Sequence, residues 1–105
     1  MKQKPVSYNF SAIINGNQIS TVLIGRHYLI NHSSYMDDGV ILQLVSALDG
    51  KNFLVDSTTN GIDYFVADIE MGTPKKIYRI IWLFEGNKME ILGVVNAYRK
   101  KRKKT

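Results

Sequence analysis

The chain has 105 residues, of which 45% are hydrophobic and 22% charged, and no cysteine. That length fits one domain, and that composition supports a packed core and excludes global disorder. Without cysteine there is no disulfide framework, thiolate zinc site or cysteine nucleophile. The net charge of +5 is unevenly spread: Met1 to Pro74 carries four basic residues and seven acids, a net of −3, whereas Lys75 onward carries ten basic residues and two acids, a net of +8. Six of those ten lie in the last seven positions, Arg99 to Thr105. The high pI therefore belongs to the C-terminal run. Met1 to Phe10 lacks the apolar run of a signal peptide, and no stretch is long and apolar enough for a membrane helix, so a cytoplasmic location is expected.

Val6 to Ile14 mixes aromatic, β-branched and polar residues and reads as a strand. Asn15-Gly16 is a hairpin turn signal, and Gln18 to Ile24 is its partner strand, ended by Gly25. Arg26 to Met36 is open between a short helix and an irregular loop. Val40, Ile41, Leu44, Val45 and Leu48 recur at helical spacing, Asp37 and Asp38 suit a helix N-terminus, and Gly50 suits its C-terminal cap. The main helix is thus expected over Asp38 to Leu48.

Four strands are expected to follow: Lys51 to Asp56 and Ile62 to Glu70 around a Ser-Thr-Thr-Asn-Gly turn, then Lys76 to Phe84 and Lys88 to Tyr98 around Gly86-Asn87. The fold class is α+β, an antiparallel sheet of about four to six strands with one main helix on a face, in the order β-β-α-β-β-β-β. The two most apolar strands, IYRIIWLF and MEILGVVNAY, are expected at its centre. Residues 1–98 are read as the domain and 99–105 as a basic, disordered tail.

Few residues offer chemistry. His27 and His32 are the only histidines, and imidazole is the general acid or base best suited to neutral pH; a half-buried structural role is the alternative. Arg79 is the only charge within IYRIIWLF. It needs either a phosphate or a structural ion pair with Asp63, Asp68 or Glu70. If the turn at Gly86-Asn87 is a tight two-residue one, Val94 faces Arg79, Asn96 and Tyr98 share its face, and Arg99 points away; a wider turn or a bulge would reverse that parity. Trp82 shares a face with Tyr78, Ile80 and Phe84, so it reads as core before it reads as a stacking platform for a base. The acids lack metal-ligand spacing, so neither a metal nor another cofactor is expected. Arg99, Lys100, Lys101 and the cations beyond them suit nucleic acid, through counterion release, or a solvated solubility tail; an anionic membrane is a lesser option and is not expected.

KIYRIIWLFEGNKMEILGVVNAYRKK resembles the closing hairpin of the RelE/ParE-type toxins, where a tyrosine-arginine strand is followed by a turn, an apolar strand and a second arginine. RHYLINHSSYMDDGVILQLVSAL resembles the histidine-bearing helical segment of the wider ribonuclease group that joins barnase, EndoU, colicin D and RelE. The resemblance covers roughly Gly25 to Lys101. It implies a metal-independent endoribonuclease, a toxin of a toxin–antitoxin or phage-related system. His27 or His32 would then be the acid/base, Arg79 would hold the scissile phosphate, and Arg99 would be the second arginine. RNA would be the substrate and an antitoxin or immunity protein a partner, with a homodimer left open. The alternatives are a non-catalytic nucleic-acid-binding module that uses the tail, and a protein-interaction domain.

Overall fold

The computed structural model describes residues 4–26 and 35–100. They form a mixed α+β fold of one helix and one six-stranded, mostly antiparallel sheet. In chain order the elements are β1 (Val6–Ile14), β2 (Asn17–Ile24), α1 (Asp38–Leu48), β3 (Ser57–Thr59), β4 (Ile62–Met71), β5 (Lys76–Glu85) and β6 (Ile91–Arg99).

Two Asn-Gly steps make the tight turns. Asn15 and Gly16 have φ of 54° and 75° and join Ile14 to Asn17; Asn60 and Gly61 have φ of 53° and 76° and join Thr59 to Ile62. Two successive left-handed residues match the twist of a two-residue hairpin, and asparagine and glycine tolerate them best. α1 starts where Asp37 Oδ1 accepts the Val40 N–H at 2.9 Å, and the chain leaves it through Gly50 at φ 79°. The Gly50 N–H donates to the Ile13 carbonyl at 2.6 Å, which ties the helix end to β1. Ile41, Leu44, Val45 and Leu48 are fully buried and join Ile14, Ile19, Val22, Ile24, Ile80, Trp82 and Leu92 in one core.

The order β-β-α-β-β-β-β describes the path of the chain and needs correction as a description of the sheet. Across the sheet the strands run β1-β2-β6-β5-β4-β3. β6 lies between β5 and β2, antiparallel to the first and parallel to the second, with Val22 opposite Leu92 and Ile24 opposite Val94. The helix therefore belongs to a long connection from β2 to its parallel neighbour. β5 and β6 do occupy the two central positions.

One expected strand is absent and another starts late: Lys51 to Asp56 forms no strand, β3 instead takes Ser57–Thr59 from the stretch expected to be a turn, and β6 begins at Ile91 and not at Lys88. Residues 51–56 are irregular, and only Ser57–Thr59 pairs with β4. The reason is Phe53: its ring meets Trp82 edge-on at 5.1 Å, and its own N–H and C=O are taken by the Asn15 side chain at 2.6 and 3.0 Å. Phe53 thus bonds Asn15 in place of a neighbouring strand, and within the segment the Asp56 N–H reaches β4, at the Tyr64 carbonyl 2.9 Å away. The β5–β6 connection is likewise not the tight turn at Gly86-Asn87. The last pair is Glu85 with Ile91, and residues 86–90 form a loop closed by Met89 N–H on the Gly86 carbonyl and by Lys88 N–H on the Glu90 carboxylate.

Candidate functional site

The parallel pairing decides which residues meet. Because β2 and β6 run the same way, Arg26 and Arg99 leave the sheet at one end. The start of β5 and the end of β4 pair there too, as Asp68–Arg79–Tyr98 on one face and Ile69–Tyr78–Arg99 on the face that carries α1. Tyr98, not Val94, is thus the cross-strand partner of Arg79. The wider loop alone would reverse the side-chain parity, but a bulge between Ile81 and Trp82 reverses it back. Asn96 and Tyr98 therefore share the face of Arg79, and Arg99 lies on the other.

Arg79 is engaged by Asp68 in a two-pronged ion pair, Nε to Oδ1 at 2.8 Å and Nη2 to Oδ2 at 3.2 Å. Lys100 Nζ adds a third contact to Oδ2 at 3.1 Å. Of the two roles open to Arg79 from the sequence, this is the structural ion pair. The Arg79 hydrogen bond, assisted by Lys100, holds the Asp68 carboxyl below the usual carboxylate range; Asp68, with Tyr98 in support, pushes Arg79 further above its ordinary value.

A group whose folded pKa is depressed stabilises the fold above its unfolded pKa, and that contribution is lost as pH falls through the folded value. Asp68 is 37% exposed, so the effect is screened and amounts to about 1 kcal/mol at most. Asp68→Asn is accordingly expected to lower the urea midpoint slightly at neutral pH. The difference from the wild type should stay constant down to about pH 4 and vanish in stronger acid. Urea titrations of both proteins across acid pH check this.

On the helix side, Arg26 Nη2 binds Asp38 Oδ1 at 2.8 Å, and the Tyr8 hydroxyl donates to the other carboxylate oxygen. That bond to Asp38 raises the Tyr8 phenol above its ordinary pKa. Together these groups clamp the start of α1 to β1 and β2. Nearby, the Arg99 guanidinium lies 4.5 Å from the centre of the Tyr35 ring, and its backbone N–H donates to the Tyr35 hydroxyl at 3.3 Å. Tyr78, the strand neighbour of Arg99, is half-buried beside it. The Lys100 N–H still bonds the Ile77 carbonyl at 2.8 Å, so the sheet holds the first two residues of the basic run.

Two other sequence-derived candidates are already engaged within the fold. Trp82 is fully buried and stacked on Phe65 at 5.7 Å, so no face of its ring is open to a base. Asn96 Oδ1 accepts the neighbouring Ala97 N–H. His27, His32 and Lys101 lie outside the described residues. Tyr8, Tyr35 and Asp38 escaped the sequence reading as members of this end, since only the β2–β6 pairing brings them to it.

At the opposite end of the sheet lies a shallow hollow of about 470 Å³ lined by Asn15, Asn17, Phe65, Phe84 and Met89 among others, with none of the expected site residues. Among the described residues no three acidic or histidine side chains converge as metal ligands, and no helix is long and apolar enough to cross a membrane. Comparison with protein-family models, curated proteins and solved structures finds no match.

Proposed function

We propose that this domain binds single-stranded RNA at the sheet end where β2 and β6 finish. The observation that carries the reading is Arg99 stacked on Tyr35 at the root of a cationic run. The exposed Arg99 guanidinium, backed by the half-buried Tyr35 ring, offers a flat surface on which a base stacks, and Lys100 to Lys104 supply the counterion-releasing contacts to phosphate.

A second reading is the metal-independent endoribonuclease, with 2′-hydroxyl attack on the adjacent phosphate, His27 or His32 moving protons and Arg79 stabilising charge. What favours it is the parallel pairing: β2 and Arg26, which precedes His27 in the chain, end on the side of the sheet that also carries Arg79. In that reading a phosphate would have to draw the Arg79 fork away from Asp68. A cytoplasmic toxin of this kind would have an antitoxin or immunity protein as partner.

One experiment separates the two. Labelled single-stranded and transfer RNA are incubated with the protein in excess EDTA, beside a His27→Ala/His32→Ala variant. Salt-sensitive retardation of intact RNA by both proteins is the expected result. Cleavage by the wild type alone would make the ribonuclease the better reading, and neither shift nor cleavage would sink both.

A further inference from the structure

Two cations converge on one carboxylate at the end of the sheet where the basic run begins. Asp68 Oδ2 accepts from Arg79 Nη2 at 3.2 Å and from Lys100 Nζ at 3.1 Å, while Oδ1 accepts from Arg79 Nε at 2.8 Å. The three side chains meet because β4, β5 and β6 pair there in the register Asp68–Arg79–Tyr98, and Lys100 follows Tyr98 by two positions, on the same face. The Lys100 backbone is fixed as well, its N–H on the Ile77 carbonyl. Lys100 is therefore at once the first cation beyond β6 and a partner of Asp68.

Stability alone does not account for the second cation. The Arg79 fork already engages both carboxylate oxygens, and the group is open to water: Arg79 is 33% exposed and Asp68 and Lys100 are 37% each. Ion pairs that exposed add little to a fold. What the arrangement does change is the surface a polyanion meets. A guanidinium fork and an ammonium present the same donors to a carboxylate as to a phosphate. A phosphate that approaches Lys100 from this face has to displace a carboxylate that two cations hold in place. The Arg99 guanidinium is spared that competition, since it lies on the other face, over the Tyr35 ring.

We propose that Asp68 is an internal competitor of the RNA backbone: its carboxylate takes the place of a phosphate on Arg79 and Lys100, holds RNA affinity down and confines the strand to the Arg99 side of the sheet end. The inference rests on RNA binding at this end. Glu70 supplies the control, because it stands two residues along β4 on the same face and makes no ion pair among the described residues. Asp68→Asn and Glu70→Gln thus remove the same charge from the same face. Anisotropy of a labelled single-stranded RNA at several salt concentrations compares both with the wild type. Asp68→Asn is expected to bind about threefold or more tightly at low salt, with a slope of log affinity against log salt steeper by about 0.7 as Arg79 gains a phosphate. Glu70→Gln should gain less and keep the wild-type slope. Asp68→Ser gives the same comparison if Asp68→Asn fails to fold. Equal gains and equal slopes for the Asp68 and Glu70 variants overturn the proposal, as does an Asp68 variant that binds like the wild type; in both cases RNA binding at the sheet end stands. No binding by the wild type or any variant overturns the RNA reading and this proposal with it.

Discussion

Trp82→Ala is expected to cost about 3–5 kcal/mol of unfolding free energy, while Trp82→Phe costs roughly 1–2 kcal/mol. Trp82 is fully buried at the centre of β5. Phe65 stacks on it at 5.7 Å with an interplanar angle of 18°, and Phe53 meets it edge-on at 5.1 Å. Alanine would remove the group that all these rings pack against and leave a cavity between helix and sheet. Phenylalanine keeps most of the aromatic contact. It also deletes the indole N–H, which is buried without a hydrogen-bond partner and so stands as a cost in the wild type. Alanine deletes the same N–H, so that relief is common to both variants and the gap between them reflects packing alone. Urea unfolding followed by far-ultraviolet circular dichroism measures both. A Trp82→Ala cost below about 1 kcal/mol would contradict the packing described.

Residues 51–56 share in that core through a single side chain. Phe53 points to Trp82 while Leu54 beside it is 92% exposed, and the rest of the hold is polar: the Asn15 side chain on Phe53, the Asn15 N–H on the Lys51 carbonyl and the Asp56 N–H on the Tyr64 carbonyl. This is why it does not read correctly from sequence. Lys51 to Asp56 has the composition of a strand, and nothing local shows that Asn15 will take the Phe53 backbone groups.

The same division runs through the fold. Features set by neighbours in the chain were legible: the Asn15-Gly16 turn, the helix from Asp38 to Leu48 with Asp37 at its N-terminus, and the apolar central hairpin, whereas the turn read over Ser57 to Gly61 narrows to Asn60-Gly61. Features set by distant partners were not. The parallel β2–β6 pair joins segments separated by the helix and three strands, and no local periodicity encodes it. The parity of Asn96, Tyr98 and Arg99 relative to Arg79 came out as a tight turn would give it, but through two offsetting departures, the wide loop and the bulge. For Arg79 the sequence left phosphate and ion pair open, since Asp68 becomes its partner only through the β4–β5 register. The stack of Arg99 on Tyr35 had no sequence signal, because Tyr35 lies at the end of a segment whose pattern favoured neither helix nor loop.

RNA binding at the sheet end depends most on the cations that leave it. A chain ending at Lys100 keeps the Arg99–Tyr35 stack and the Lys100–Asp68 contact but loses Lys101, Arg102, Lys103 and Lys104. For a single strand each neutralised phosphate contributes about 0.7 to the slope of log affinity against log salt. The most direct measurement is therefore the anisotropy of a labelled single-stranded RNA, titrated with the full chain and the shortened one at several salt concentrations. The expected result is a slope shallower by about 3 for the shortened chain, with affinity at low salt reduced by about tenfold or more. Equal affinity and equal slope for the two chains would contradict RNA binding at this end of the sheet.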